Sequence, residues 1–140
     1  MLRILRPENT ALIIGTGIDL IEVERVREAL ERSLTGFRFK QRVFTQGEVR
    51  YCESRGRGAY QSYAARFAAK EATMKALGTG WSRHAAWRDI EVVRARGQAP
   101  GIQLSGTAAE TARRRGIARF HLSITHSAQH AVAYVIAEDE

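Results

Sequence analysis

The spacing of apolar and polar residues divides the chain into an early helical half and a later half rich in strands. Residues 11–20, ALIIGTGIDL, form an apolar run carrying Gly15 and Gly17, which predicts a buried strand. Residues 22–34 place Val23, Val26, Leu30 and Leu34 on one helical stripe with Glu and Arg opposite. A short helix is expected over 37–44. Thr45 and Glu48 have the spacing of a capping box, which opens a further helix running to about residue 54. Residues 59–77, AYQSYAARFAAKEATMKAL, are rich in Ala and predict the longest helix, ending at Gly78 as a left-handed cap.

After Gly78 the period changes. Residues 88–96 and 101–105 read as strands joined across Gly97–Pro100, and 107–115 as a surface helix stopping at Gly116. Residues 119–125 and 130–137 read as strands around a turn at 126–129. The fold class is therefore α+β: a small antiparallel-rich sheet packed against a long central helix. With no internal repeat or low-complexity linker, the expectation is an N-terminal extension over 1–10 and one domain over 11–140.

Composition narrows the class. No apolar run approaches the roughly 20 residues that span a bilayer, and MLRILRPENT lacks the apolar core of a signal peptide, so a cytoplasmic protein is expected. A single Cys excludes an intramolecular disulfide framework. The 22 Lys plus Arg exceed the 15 Asp plus Glu, for a net charge of +7, which points to an acidic partner: nucleic acid, an anionic surface, a polyphosphate or an acidic protein. Two basic patches, Arg55–Gly58 and Arg113–Arg115, keep a basic RNA-binding α+β domain as the alternative reading. Only three cations are Lys (Lys40, Lys70, Lys75), and only three acids are Asp (Asp19, Asp89, Asp139).

Candidate chemistry gathers on the long helix and the first strand. Arg66, Lys70, Glu71 and Lys75 lie among Ala residues, and a buried charge needs a partner, a metal or a ligand. Asp19 ends the first strand, where it can face a ligand or serve as a helix cap. Asp19 with Glu71 makes a sparse, hard-oxygen pair suited to Mg2+ completed by phosphate and water. His126 lies in Ser123-Ile-Thr-His-Ser127, readable either as a hairpin turn or as a polar site. Cys52 reads as incidental, and Trp81, His84 and Trp87 as a loop packed on the sheet.

Three segments in order, GTGIDLIEVER (15–25), RFAAKEATMKALGTG (66–80) and LSITHS (122–127), resemble the holo-[acyl-carrier-protein] synthase family of 4′-phosphopantetheinyl transferases. The likeness runs over about residues 12–137. It implies transfer of 4′-phosphopantetheine from coenzyme A to a serine of apo-acyl carrier protein, in fatty acid biosynthesis, with release of adenosine 3′,5′-bisphosphate. It implies that Asp19 and Glu71 bind Mg2+ and that Lys75 contacts the pyrophosphate. Arg66, Lys70, Gly78, Gly80, Thr125 and His126 become coenzyme-binding residues. The proton acceptor is left between Glu71 and a metal-bound water. The resemblance further implies a homotrimer with sites at subunit interfaces and an acidic carrier docked on Arg25, with Arg32, Arg38 and Arg42 as secondary positions.

Overall fold

The computed structural model describes residues 10–80, 82 and 84–140. Its first half holds β1 (Ile13–Glu22), α1 (Val23–Glu31), α2 (Gly36–Val43), α3 (Gln46–Glu53) and the long α4 (Ala59–Leu77). Then follow β2 (Ile90–Val93), β3 (Gly101–Leu104), α5 (Gly106–Arg114), β4 (Arg119–His126) and β5 (His130–Glu138). The expected extension lies, up to residue 9, outside the described residues, as does Trp81.

β1, β5 and β4 form an antiparallel sheet in that order, and β2 pairs with β3 in a separate hairpin. The α+β class and the central helix agree with the sequence reading. No described helix is long and apolar enough to cross a membrane. α4 ends where Gly78 turns left-handed at φ 75° and the Thr79 N–H reaches the Met74 carbonyl at 3.1 Å. The capping box at Thr45 is formed in both directions with Glu48.

α4 is buried on nearly every side because its Ala residues let neighbours approach from all round. Ala68, Ala69, Ala72, Met74 and Leu77 pack with Ile90, Val92, Ala133 and Val135. Tyr63, Ala64 and Ala65 pack with Val23, Val26, Phe44 and Ala131. The approach of β1 is the closest of these. A Cβ on Gly17 would overlap the Ala72 carbonyl oxygen, and one on Gly15 the Ala76 carbonyl oxygen. Only glycine permits this spacing.

Three expectations need correction. β1 is buried on one face alone: Gly17, Asp19 and Ile21 turn toward α4, while Ile18 and Leu20 remain 59% and 64% exposed. Leu34 does not join the α1 stripe; the helix stops at Glu31 and Leu34 is 88% exposed. Residues 88–96 are strand only over Ile90–Val93, because Trp87–Asp89 forms a 3₁₀ turn, from which Trp87 stacks on Phe67 of α4.

Lys70, for which the resemblance implies coenzyme binding, is held inside the protein. Its side chain is 0% exposed and its ammonium sits 2.7 Å from Glu48 Oε1, donating also to the carbonyls of Trp87 (3.0 Å) and Ile90. The second Glu48 oxygen accepts the Val92 N–H at 3.0 Å. Desolvation pushes Lys70 below the ordinary lysine range, against the pull of Glu48. The pair thus ties α3, α4 and β2 together. Cys52 is buried too, its thiol pushed up to about 12 by desolvation.

Two stability predictions follow from these contacts. Gly17→Ala is expected to cost about 1–3 kcal/mol in urea unfolding, because the strand must back away from α4. Lys70→Met should cost about 3–5 kcal/mol by stranding the Glu48 carboxylate. Weaker coenzyme binding with unchanged stability would instead make Lys70 a ligand.

Candidate active site

β1 and α4 meet where each carries its acid. Asp19 follows Gly17 by two residues, so it stays on the same strand face. Glu71 and Lys75 sit one helical turn apart on the side of α4 that β1 covers with its glycines. Asp19 and Glu71 line one cleft of about 340 Å³ with Arg25, Phe39 and Phe67. Glu71 is raised above the ordinary carboxylate value, first by desolvation and then by the Asp19 charge, while Lys75 pulls it down. Lys75 donates to the Ile18 carbonyl at 2.7 Å and pairs with Asp19 Oδ1 at 3.2 Å.

Among the described residues no cluster of three or more His, Cys, Asp or Glu could hold a metal. Two carboxylates at an open cleft fit a hard divalent cation whose other positions come from phosphate and water, and do not make a closed structural site. The donor chemistry therefore suits Mg2+.

Arg66 faces elsewhere. Five positions from Glu71, it lies about 140° away around α4, in a hollow of about 470 Å³ lined by Gly47, Tyr51, Val92 and Gly101. The residue is 5% exposed and its guanidinium lies 3.9 Å from the Tyr51 ring centroid, with Nε buried and without a hydrogen-bond partner. A buried donor in that state costs free energy until it gains an acceptor.

Thr125 pairs across β5 with Val132, which pairs with Leu20, so it lies on the sheet face away from α4. His126 is exposed at the end of β4 and registers with Ala131, two strands from β1. Gly78 and Gly80 are exposed just beyond the end of α4. One chain thus brings together Asp19, Glu71, Lys75 and Arg25, but not Arg66, Thr125 and His126. Arg38 and Arg42 join Arg32 and Trp87 around a second hollow of about 450 Å³, which shares Ala29, Phe39 and Phe67 with the acid cleft.

The partners that spacing did not disclose are Glu48 under Lys70, Tyr51 under Arg66, and Asp19 for Lys75 in place of the nearer Glu71. The capping box marked Glu48, but its local role gave no sign of the second contact. The Arg113–Arg115 patch ends α5, where cations suit the helix carbonyls, and Gly56–Gly58 is a 3₁₀ turn.

Comparison with known proteins gives a consistent relationship. Residues 15–135 match the family model described as the 4′-phosphopantetheinyl transferase superfamily. A holo-[acyl-carrier-protein] synthase of Koribacter versatilis is 48% identical over 128 residues, covering 91% of this chain and 100% of the relative. One from Desulforudis audaxviator is 49% identical over 126 residues, covering 90% and 93%. Among solved structures, the holo-[acyl-carrier-protein] synthase of Neisseria meningitidis superposes with a TM-score of 0.80 at 28% identity, covering 91% of this chain and all 100% of the other. The Helicobacter pylori enzyme in complex with coenzyme A gives 0.75 at 30% identity, covering 87% and 98%. With residues 15–135 matching the family model and relatives of nearly half identity over about nine-tenths of its length, this chain belongs to the 4′-phosphopantetheinyl transferase superfamily.

Proposed function

We propose that this protein is a holo-[acyl-carrier-protein] synthase, transferring 4′-phosphopantetheine from coenzyme A to a serine of apo-acyl carrier protein. The observation that carries the reading is the meeting of Asp19 and Glu71 at one cleft beside Arg25, with Lys75 paired to Asp19. In the reaction the serine oxygen forms a bond to the pantetheine-side phosphorus of the pyrophosphate. The bond to the bridging oxygen breaks, adenosine 3′,5′-bisphosphate leaves, and the serine proton passes to a base.

Asp19 and Glu71 would hold Mg2+. When bound, the metal supplies Lewis-acid polarisation of the phosphoryl group. Lys75, on its flexible stem, carries positive charge to the leaving phosphate. The serine proton passes to a base at the cleft, Glu71 or a water held there. Arg66 offers the 3′-phosphate a desolvated, fork-shaped donor. Arg25 at one hollow and Arg38 and Arg42 at the neighbouring one suit an acidic carrier, acting mainly on encounter rate. The cytoplasm is the compartment we assign to the reaction.

A homotrimer with composite sites is part of the proposal. It is supported by the outer face of the sheet, where Ile18, Leu20 and Tyr134 stay exposed in a single chain. It is supported also by the distribution of Arg66, Thr125 and His126 away from the acid pair. A second copy can supply to one cleft what the first carries on another side.

Incubation with coenzyme A, Mg2+ and several apo-carriers should add the phosphopantetheine mass to a carrier, and no gain on any carrier would reject the function. Asp19→Ala and Glu71→Gln should each lower turnover at least about a hundredfold with the fold retained, as expected where charge stabilisation dominates. Ile18→Asp should shift sedimentation from trimer to monomer and remove activity together with it. A wild-type monomer that is fully active would reject the composite site.

A further inference from the structure

The direction taken by Lys75 is not explained by local helix chemistry. Glu71 precedes it by four residues, the favoured orientation for a helical ion pair. Its ammonium instead crosses to β1 and lies between two oxygens, the Ile18 carbonyl at 2.7 Å and Asp19 Oδ1 at 3.2 Å. Both are hard donors of the kind a divalent cation takes. The site therefore already holds a cation, and that cation is tethered to the chain.

The two partners differ in freedom. The Asp19 side chain is 16% exposed and fixed by the strand, whereas Lys75 is 51% exposed on a four-carbon stem. If the pair opens, the lysine moves and the carboxylate stays. A second carboxylate is at hand, since Glu71 lines the same cleft as Asp19 and feels its charge.

We propose that Lys75 is the resident cation of the metal-free site and sets its metal affinity. It occupies Asp19 until the coenzyme pyrophosphate draws the ammonium away and frees Asp19 for the divalent ion. The proposal rests on the reading that Asp19 and Glu71 bind Mg2+ with coenzyme A. In the swap the ammonium passes from carboxylate to phosphate as the divalent cation enters. Metal alone must compete with a tethered ammonium and binds weakly; coenzyme A relieves that competition. By linkage the metal strengthens coenzyme binding by the same factor. Lys75 is thus a positioning residue for the metal as well as a phosphate contact.

The test uses Mn2+ as probe, titrated into the full chain by calorimetry and by the loss of the free-ion electron paramagnetic resonance signal. Wild type, Lys75→Met and Lys75→Gln are compared at one pH and ionic strength, with and without coenzyme A. The Met variant keeps the stem length, the Gln variant guards against a new apolar contact, and thermal melts check that both are folded. Without coenzyme A, both variants should bind Mn2+ roughly three- to tenfold more tightly than wild type, the size of one charge at this distance in a wet site. The enhancement of Mn2+ binding by coenzyme A should shrink by a similar factor. If wild type binds Mn2+ with coenzyme A but the variants bind it no more tightly than wild type in its absence, the resident-cation role is overturned and the metal site stands. If wild type takes up no Mn2+ under either condition, the metal reading falls and this proposal with it.

Discussion

The structure depends first on how closely β1 lies against α4. Gly15 and Gly17 present no side chain to the helix, and the helix answers with Ala72 and Ala76, so backbone meets backbone. Interiors at this density have no slack for even one added methyl group. Asp19 is the next residue along the same strand face. Glu71 and Lys75 flank the two alanines on the helix. The separation of the acids is therefore fixed by glycines and alanines that have no part in the chemistry.

The same segments show why some of the fold was legible in the sequence. α4 is recovered over the full 59–77 span because an uninterrupted Ala-rich run ends in a glycine at a left-handed cap. The capping box located the start of α3 because its two hydrogen bonds are local and their spacing is fixed. Asp19, Glu71, Lys75 and Arg25 were singled out as charges among small apolar residues or in motifs that resemble a family. Lys70 stood in the same context, yet its partner is Glu48, 22 positions back in the chain. Local spacing cannot say whether a buried charge faces a cleft or a carboxylate from another element. Leu34 was misplaced for a related reason: the apolar period continues past Glu31, but the backbone leaves the helix there.

The basic excess resolves into charges in different dielectric settings. Lys70 is fully desolvated and neutralised by Glu48, so it contributes to how the elements are joined. Arg66 is desolvated with an aromatic ring beneath it and no carboxylate, which leaves its charge directed into a hollow. Arg25, Arg32 and Arg38 are exposed and screened by salt. One formal charge thus differs in what it can do according to the water around it.

Burial of α4 on nearly all sides has a consequence for how such a protein can diverge. Each residue from Ser62 to Leu77 answers to a strand, another helix or the hairpin of β2 and β3, so a change that suits one neighbour disturbs a second. The helix that bears Glu71 and Lys75 is therefore the part least free to vary. The surface over residues 25–42 meets mostly solvent, and its exposed positions can change charge or shape without repacking anything. Sequence change can accumulate on that surface while the helix beneath it stays fixed.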